Sequence, residues 1–356
     1  MRLNQIKSMR AGFGQFNQAT TEYLQFAAQF GATDVLLNTP VLPTDGGSEG
    51  GRWELVDLVK LRLTVEQFGL RLTALENVPT FFYDQIMLGG PKRDQQIENM
   101  IYTVRNIARA GIPIFGYNWM TSHVWRTPSA LIRGGAVATA FDETIAETLP
   151  LTHGRVYSED EMWTNLEYWI KIITPIAEEE GIRLGIHPCD PPVARLGGVP
   201  QLLRNFAAYK RLVEIYPSDS NAIEFCQGTM AEMQDDVDVY DKIRYFGSRH
   251  KIMYVHFRNV DGTVPRFREE FVNSGYVDMF KAMQLYYDVG FDGFFIDDHV
   301  PQTFQDTPWG HRGRAFANGY IQALIEAVTK QAEAEGRPAG TLRDWVPATT
   351  PSFARY

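Results

Sequence analysis

The chain has 356 residues, 44% of them hydrophobic and 22% charged, with a net charge of -9 and two cysteines. That balance describes a globular protein and leaves no apolar run near the ~20 residues that span a bilayer, while an acidic chain lacks the clustered Lys and Arg that nucleic acid requires. The opening stretch, MRLNQIKSMRAGFGQF, lacks the apolar core and small-residue cleavage site of a secretory signal, so a reducing cytoplasm with free thiols is the expected compartment.

Along the chain, short β-rich runs alternate with longer amphipathic ones, the pattern of βα units and a parallel sheet. Strands are expected at 11–15, 34–38, 71–75, 112–117, 183–187, 222–226, 252–257 and 293–297. Helical stretches such as TEYLQFAAQFGA, QIENMIYTVRNIARAG and NLEYWIKIITPIAEEEG lie between them, several ending in Gly just ahead of the next strand, a common helix stop. The unit between Cys226 and Ile252 is the least regular, with VDVYDKIRYFG as its helix. Eight such units predict a (β/α)8 TIM barrel forming a single domain over residues 1–356. A two-domain doubly wound sheet is the competing architecture, but neither GxGxxG nor GxxxxGK[ST] follows the first strand. A barrel needs only about 250 residues, so the surplus belongs in loops. The largest, 121–159 after the fourth strand, is rich in Gly, Thr, Pro and charge, and is expected as an insertion on the catalytic face, a lid or a subunit contact.

Barrel chemistry is built from the C-terminal ends of the strands. The fifth strand ends in His187, the sixth in Cys226 within IEFCQGT, the seventh in His256 within YVHFRN, and the eighth in Asp297, Asp298 and His299 within FFIDDHVP. Any one of these has an ordinary reading as a hydrogen-bonded or packed residue. Together, two imidazoles, a thiolate and a carboxylate on one axis predict a divalent metal site, the thiolate favouring zinc and the carboxylate admitting manganese or iron. Glu224, two residues before Cys226, faces the same way and is a supporting or catalytic carboxylate, or else a partner for Arg or Lys. Asp297 and Asp298 face opposite ways, so only one should ligate. Asp190 follows His187 in a segment stiffened by Pro191 and Pro192, which would hold it beside the metal, whereas Cys189 reads as a packed loop residue.

LENVP at 75–79, AGIPIFGYNWM with WRT at 125–127, GIRLGIHPCDPP followed by LGGVP, FCQGT, VHFRN, GYVDM, the DH of DDHVP and GRAFANGYIQAL occur in order from about residue 70 to 330. With these motifs the chain resembles the mannonate dehydratase family, metal-dependent lyases of hexuronate breakdown among the xylose-isomerase-like TIM barrels. The resemblance implies a manganese ion, with Fe2+, Co2+ or Zn2+ as substitutes, held by His187, Cys226, His256 and Asp298. It also points to Tyr320 as a catalytic tyrosine and to His299 as a second acid/base group, although on its own spacing Tyr320 reads as helix core. The implied reaction removes water from D-mannonate to give 2-dehydro-3-deoxy-D-gluconate; Arg258, Asn118, His311 and Asp190 are candidate substrate contacts, the first three reading equally as loop or salt-bridge residues.

The chain departs from the family pattern at Cys189, where an acidic residue is usual, at Ile296 and Asp297, where Arg and Pro precede the DH pair, and in the segment after the fourth strand. A metal-dependent sugar or sugar-acid isomerase or epimerase of the same barrels is the rival enzyme reading, favoured by Glu224. A non-catalytic sugar-acid binding protein is the rival outside enzymes. Family members are often dimers, which leaves a homodimer open.

Overall fold

The computed structural model describes residues 8–43 and 51–342, so the two ends of the expected 1–356 domain lie outside it. In chain order the strands are β1 (Arg10–Phe13), β2 (Asp34–Asn38), β3 (Arg71–Glu76), β4 (Ile114–Tyr117), β5 (Thr127–Leu131), β6 (Val137–Asp142) and β7 (Arg183–Ile186). There follow β8 (Arg195–Leu196), β9 (Val199–Pro200), β10 (Asn221–Cys226), β11 (Ile252–His256), β12 (Asn259–Val260), β13 (Arg266–Glu270) and β14 (Phe294–Ile296). Eight of them close a parallel barrel in the order β1-β14-β11-β10-β7-β4-β3-β2, the (β/α)8 architecture expected of alternating βα units. Each barrel strand falls within two residues of its expected bounds, because a strand buried on both faces is written as a short apolar run.

Local signals set the helices between them. Asn205, Asp238 and Asp278 each cap a helix by accepting a hydrogen bond from the backbone N–H three residues on. Gly181 ends the helix Glu159–Glu180 at φ 69°, a left-handed conformation that costs glycine little. The irregular unit after Cys226 holds two helices, Gln227–Glu232 and the expected Val239–Ser248. The first is fully buried and lacks the polar face that would mark it as a helix from sequence.

The largest difference from expectation concerns the long loops. Residues 121–159 contain β5, β6 and the short helix Glu143–Ala146. β6 pairs antiparallel with β13, which belongs to the loop after β11, and the sheet runs β12-β13-β6-β5. Two insertions more than a hundred residues apart in sequence therefore make one structure. β13 gave no strand signal because its buried alternate positions are Phe267 and Glu269, and a charged residue breaks the apolar alternation.

Strand register places the chemistry. Cys226 lies opposite His256, His256 opposite Ile296, and on the other side Asn38 opposite Glu76 and Glu76 opposite Gly116. These C-terminal residues therefore share one level of the barrel. Gly116 is required there, since a Cβ would sit 1.9 Å from the Tyr254 hydroxyl and 3.1 Å from Glu224.

At the opposite end Asp34 ties three strands together. Its carboxylate accepts from Arg10 Nε at 2.9 Å, Arg71 Nη2 at 2.9 Å and Thr73 Oγ1 at 2.6 Å. Burial pushes this carboxyl up, but Arg10 and the hydrogen bonds bring it below the ordinary range. Asp34→Ala strands the buried Arg10 and should cost about 3–5 kcal/mol, measured by urea unfolding. A loss under about 1 kcal/mol would reduce the cluster to the worth of a surface pair. Because the folded carboxyl titrates below its unfolded value, its contribution is full above about pH 4 and is lost as pH falls further, so the deficit of the variant should shrink in acid.

Candidate metal centre and adjoining cavity

His187 leaves the end of β7 with its N–H on the Tyr117 carbonyl at 2.7 Å. Its Nδ1 is 2.6 Å from the Pro188 carbonyl oxygen; a carbonyl can only accept, so Nδ1 carries a proton and Nε2 is the nitrogen that faces Glu224, at 3.7 Å. Ligand atoms of His187, Cys226 and His256 lie within 4.8 Å of one another, all buried. Asp298 Oδ2 is 3.4 Å from His256 Nδ1 and 3.8 Å from Cys226 Sγ. The four strand-end groups thus converge, and the two aspartates part ways: Asp298 faces the cluster, while Asp297 turns away to Arg314 at 2.9 Å. Glu224 faces inward with Cys226, its Oε1 3.0 Å from His256 Nε2 and 3.7 Å from His187 Nε2.

Charge at this point is tightly constrained. Burial pushes the Cys226 thiol up, but Arg258 and hydrogen bonds from His187 and His256 bring it down to about 5. Burial pushes the His187 imidazole down, and Glu224 with Cys226 raises it to about 10. Burial and the neighbouring Glu76 hold Glu224 well above the usual carboxylate range. The centre is an anionic pocket that retains protons where it lacks a cation, the behaviour of a set of ligands that a divalent ion would strip of protons on binding. Two imidazoles, a depressed thiol and a carboxylate fit zinc, iron or manganese by donor type.

A ring of hydrogen bonds holds these groups from the strands not singled out by sequence. His256 Nε2 lies 2.9 Å from Glu76 Oε2, and Asn38 Nδ2 donates to Glu76 Oε1 at 3.1 Å. Gln15 Nε2 donates to Asp298 Oδ1 at 2.7 Å, which leaves Oδ2 toward the cluster. Glu76 was within reach of sequence reasoning, since LENVP sits at a strand end as His187 and Cys226 do.

The centre forms one wall of a cavity of about 310 Å3, lined there by Glu76, His187, Asp298 and His299 and elsewhere by Gln15, Asn38, Thr39, Asn77 and Asn118. Of the seven non-glycine residues with left-handed φ among the described residues, five line it, namely Gln15, Thr39, Asn77, His123 and Asp298. Such strain gathers where a structure positions groups for function. Among the described residues its lining contains no Lys or Arg.

Several expected contacts are corrected by this geometry. Arg258 is buried and spends its donors on protein: Asp298 Oδ2 at 3.1 Å, Glu232 Oε1 at 2.6 Å, Asp190 Oδ2 at 3.0 Å and Thr229 Oγ1 at 2.9 Å. Asp190 lines the cavity but is gripped by Arg126 through both oxygens, at 2.6 and 2.8 Å. His311 lies outside the cavity, with Nδ1 2.5 Å from Thr307 Oγ1 and its ring among Tyr23, Phe26 and Trp309. Tyr320 packs half-buried on the outer helix His311–Ala334, with Asp278 as its charged neighbour. That placement agrees with the helix-core reading of its spacing, and Tyr320 is not among the described residues that line the cavity. Asn118 lines the cavity and donates to Asn77 Oδ1 at 2.8 Å. Cys189 is fully buried, its thiol pushed up to about 12 by burial. Glu232 and Glu269 escaped notice because they lie in the short buried helix and in an insertion, and Arg126, although inside the WRT motif, carried no assigned role.

A closed parallel barrel with imidazoles, a thiol and carboxylates gathered at its strand ends defines the class as a (β/α)8 TIM barrel with a metal-type cluster at its mouth. It superposes on an L-ribulose 3-epimerase with a TM-score of 0.57 at 14% identity, covering 91% of this chain and 98% of that one, which is a likeness of fold. Residues 9–335 match the family described as D-mannonate dehydratase (UxuA). The chain is 30% identical to mannonate dehydratase 2 of Halalkalibacterium halodurans, covering 89% of this chain and 98% of that protein. It is 31% identical to the mannonate dehydratase of Streptococcus agalactiae, covering 89% and 97%. The crystal structure of mannonate dehydratase from Streptococcus suis serotype 2 superposes with a TM-score of 0.82 at 29% identity, over 98% of this chain and 99% of that one. The chain belongs to the D-mannonate dehydratase family.

The two cysteines provide a test of the charge pattern. Metal-free protein should show thiolate absorption at neutral pH that fades as pH is lowered through about 5. Cys226→Ser should abolish it and Cys189→Ser should leave it. Absorption that appears only in alkali would contradict the depressed thiol.

Proposed function

We propose that the protein removes water from D-mannonate to give 2-dehydro-3-deoxy-D-gluconate, with a divalent ion held by His187, Cys226, His256 and Asp298. The observation that carries this reading is the convergence of those four groups on the wall of a cavity, in a chain whose residues 9–335 match the family. When bound, the ion supplies Lewis-acid stabilisation of the charge that develops as the proton leaves the carbon beside the carboxylate. Manganese is the ion inferred, with iron, cobalt and zinc as alternatives that the same donors accept.

The rest is assigned to this chain's residues. Asp298 is oriented by Gln15 and by Arg258 Nε. Glu76 and Glu224 flank His256 Nε2 and balance its charge. The amides of Gln15, Asn38, Asn77 and Asn118 offer both donors and acceptors to sugar hydroxyls. No guanidinium faces the substrate among the described lining residues, so Arg258 organises acids and does not bind the substrate carboxylate. His299 lines the cavity, and we assign proton transfer to its Nε2: removal of the C2 proton and protonation of the departing C3 hydroxyl.

No described helix is long and apolar enough to cross a membrane, and both cysteines are free, which supports a cytoplasmic enzyme. We retain the homodimer as the proposed assembly, to be read by sedimentation of the full chain.

The decisive assay strips the protein with EDTA and follows 2-keto-3-deoxy acid formation from D-mannonate with and without Mn2+, beside a panel of other aldonic acids. Manganese-dependent keto-acid release is expected. An isomerised product with no water lost would move the site to the epimerase reading. Cys226→Ser should lose bound metal and activity together while remaining folded, and full activity with metal retained in that variant would overturn the ligand assignment.

A further inference from the structure

We propose that Glu269, brought to the site by the sheet made from the two insertions, is a positioning residue for His299. The inference rests on the reading that His299 exchanges protons with the substrate. Glu269 is the inward-facing charged residue of β13 and is buried. Its Oε1 lies 2.7 Å from His299 Nδ1 and accepts from Arg126 Nη2 at 2.7 Å. A carboxylate there can only accept, so Nδ1 points at Glu269 and the opposite nitrogen, Nε2, is turned away from it, 3.7 Å from Asp298 Oδ1. Glu269 is absent from the cavity lining, so whatever it does for the reaction it does through the imidazole, the arrangement in which an outer carboxylate fixes ring orientation.

The insertions are built to deliver this one group. β13 pairs with β6 in the register Phe267 to Phe141, and those two rings stack at 5.6 Å with an interplanar angle of 29°. Arg126, just ahead of β5, lies 5.3 Å from the Phe267 ring. It bridges from Glu269 to Asp190 in the loop after β7. The imidazole is thereby oriented by a sheet that neither insertion forms alone.

Full-length metal-loaded Glu269→Ala, Glu269→Gln and His299→Ala would be compared for kcat and KM on D-mannonate, Mn2+ affinity by electron paramagnetic resonance, and ring-nitrogen chemical shifts of His299 in the diamagnetic Mg2+ form. Glu269→Ala should lower kcat about 10–100-fold, the range for an outer carboxylate, with KM and Mn2+ affinity little changed and the His299 nitrogen signals altered. Glu269→Gln, which keeps an acceptor oxygen and the shape, should restore part of kcat, and it serves as the test if the alanine variant does not fold. Wild-type kcat in both Glu269 variants while His299→Ala is inactive overturns the positioning role and leaves the proton-transfer reading standing. A parallel fall of kcat, Mn2+ affinity and thermal stability overturns it in favour of a structural pair. Wild-type activity in His299→Ala overturns both readings.

Discussion

The structure depends on burying negative charge at the mouth of the barrel. Glu76, Asp190, Glu224, Glu232, Glu269, Asp297 and Asp298 are all buried there with the Cys226 thiol, against the guanidiniums of Arg126, Arg258 and Arg314. An isolated buried carboxylate is too costly to keep. Each acid therefore shares an arginine, holds a proton or faces an imidazole. Burial raises Glu232 to about 8 and Asp297 to about 6 in spite of their arginine partners. Arg258 is the common partner of the two sides, bonding Asp298 of the metal-type cluster as well as Asp190 and Glu232 beyond it. A fixed excess of anions that only protons or a cation can neutralise explains why donors of such different chemistry lie so close together.

That constraint divides the work among the strands. β7, β10, β11 and the turn after β14 contribute the groups with ligand chemistry, while β1, β2 and β3 contribute neutral amides and Glu76 as their hydrogen-bond supports. Register makes the division effective, because His256 sits beside Cys226 on one side and Ile296, just ahead of the aspartate pair, on the other. Gly116 keeps the floor open for the Tyr254 hydroxyl and Glu224. The ordinary close packing of the barrel interior therefore ends where the polar level begins.

How much of this was legible in the sequence follows from the same physics. Buried parallel strands are apolar runs, so the barrel was readable, and polar residues closing such runs marked His187, Cys226, His256 and the Asp297–Asp298 pair, of which the family resemblance singled out Asp298. Strand alternation correctly set Glu224 beside Cys226. The support network was hidden because its members stand where no periodic pattern favours charge: Glu269 replaces an apolar residue in β13, Glu232 lies in a short helix buried all round, and Arg126 enters from an insertion. Arg258 looked like a substrate ligand because one residue type serves both roles, and only its partners distinguish them. Tyr320 and His311 were singled out by resemblance and as a substrate candidate, whereas the structure packs them against neighbouring helices and aromatic rings, outside the cavity lining.

The sheet joining β6 to β13 bears on how this barrel can be recombined. Loops on the catalytic face of such barrels are usually separable modules, which is what lets one scaffold host many chemistries. Here the loops after β4 and β11 share backbone pairing, an aromatic stack and the Arg126 to Glu269 bridge. They are therefore one heritable part written in two places: a chimera that exchanges either loop alone carries an unpaired strand edge and an unmatched buried charge, and the two must be transplanted together.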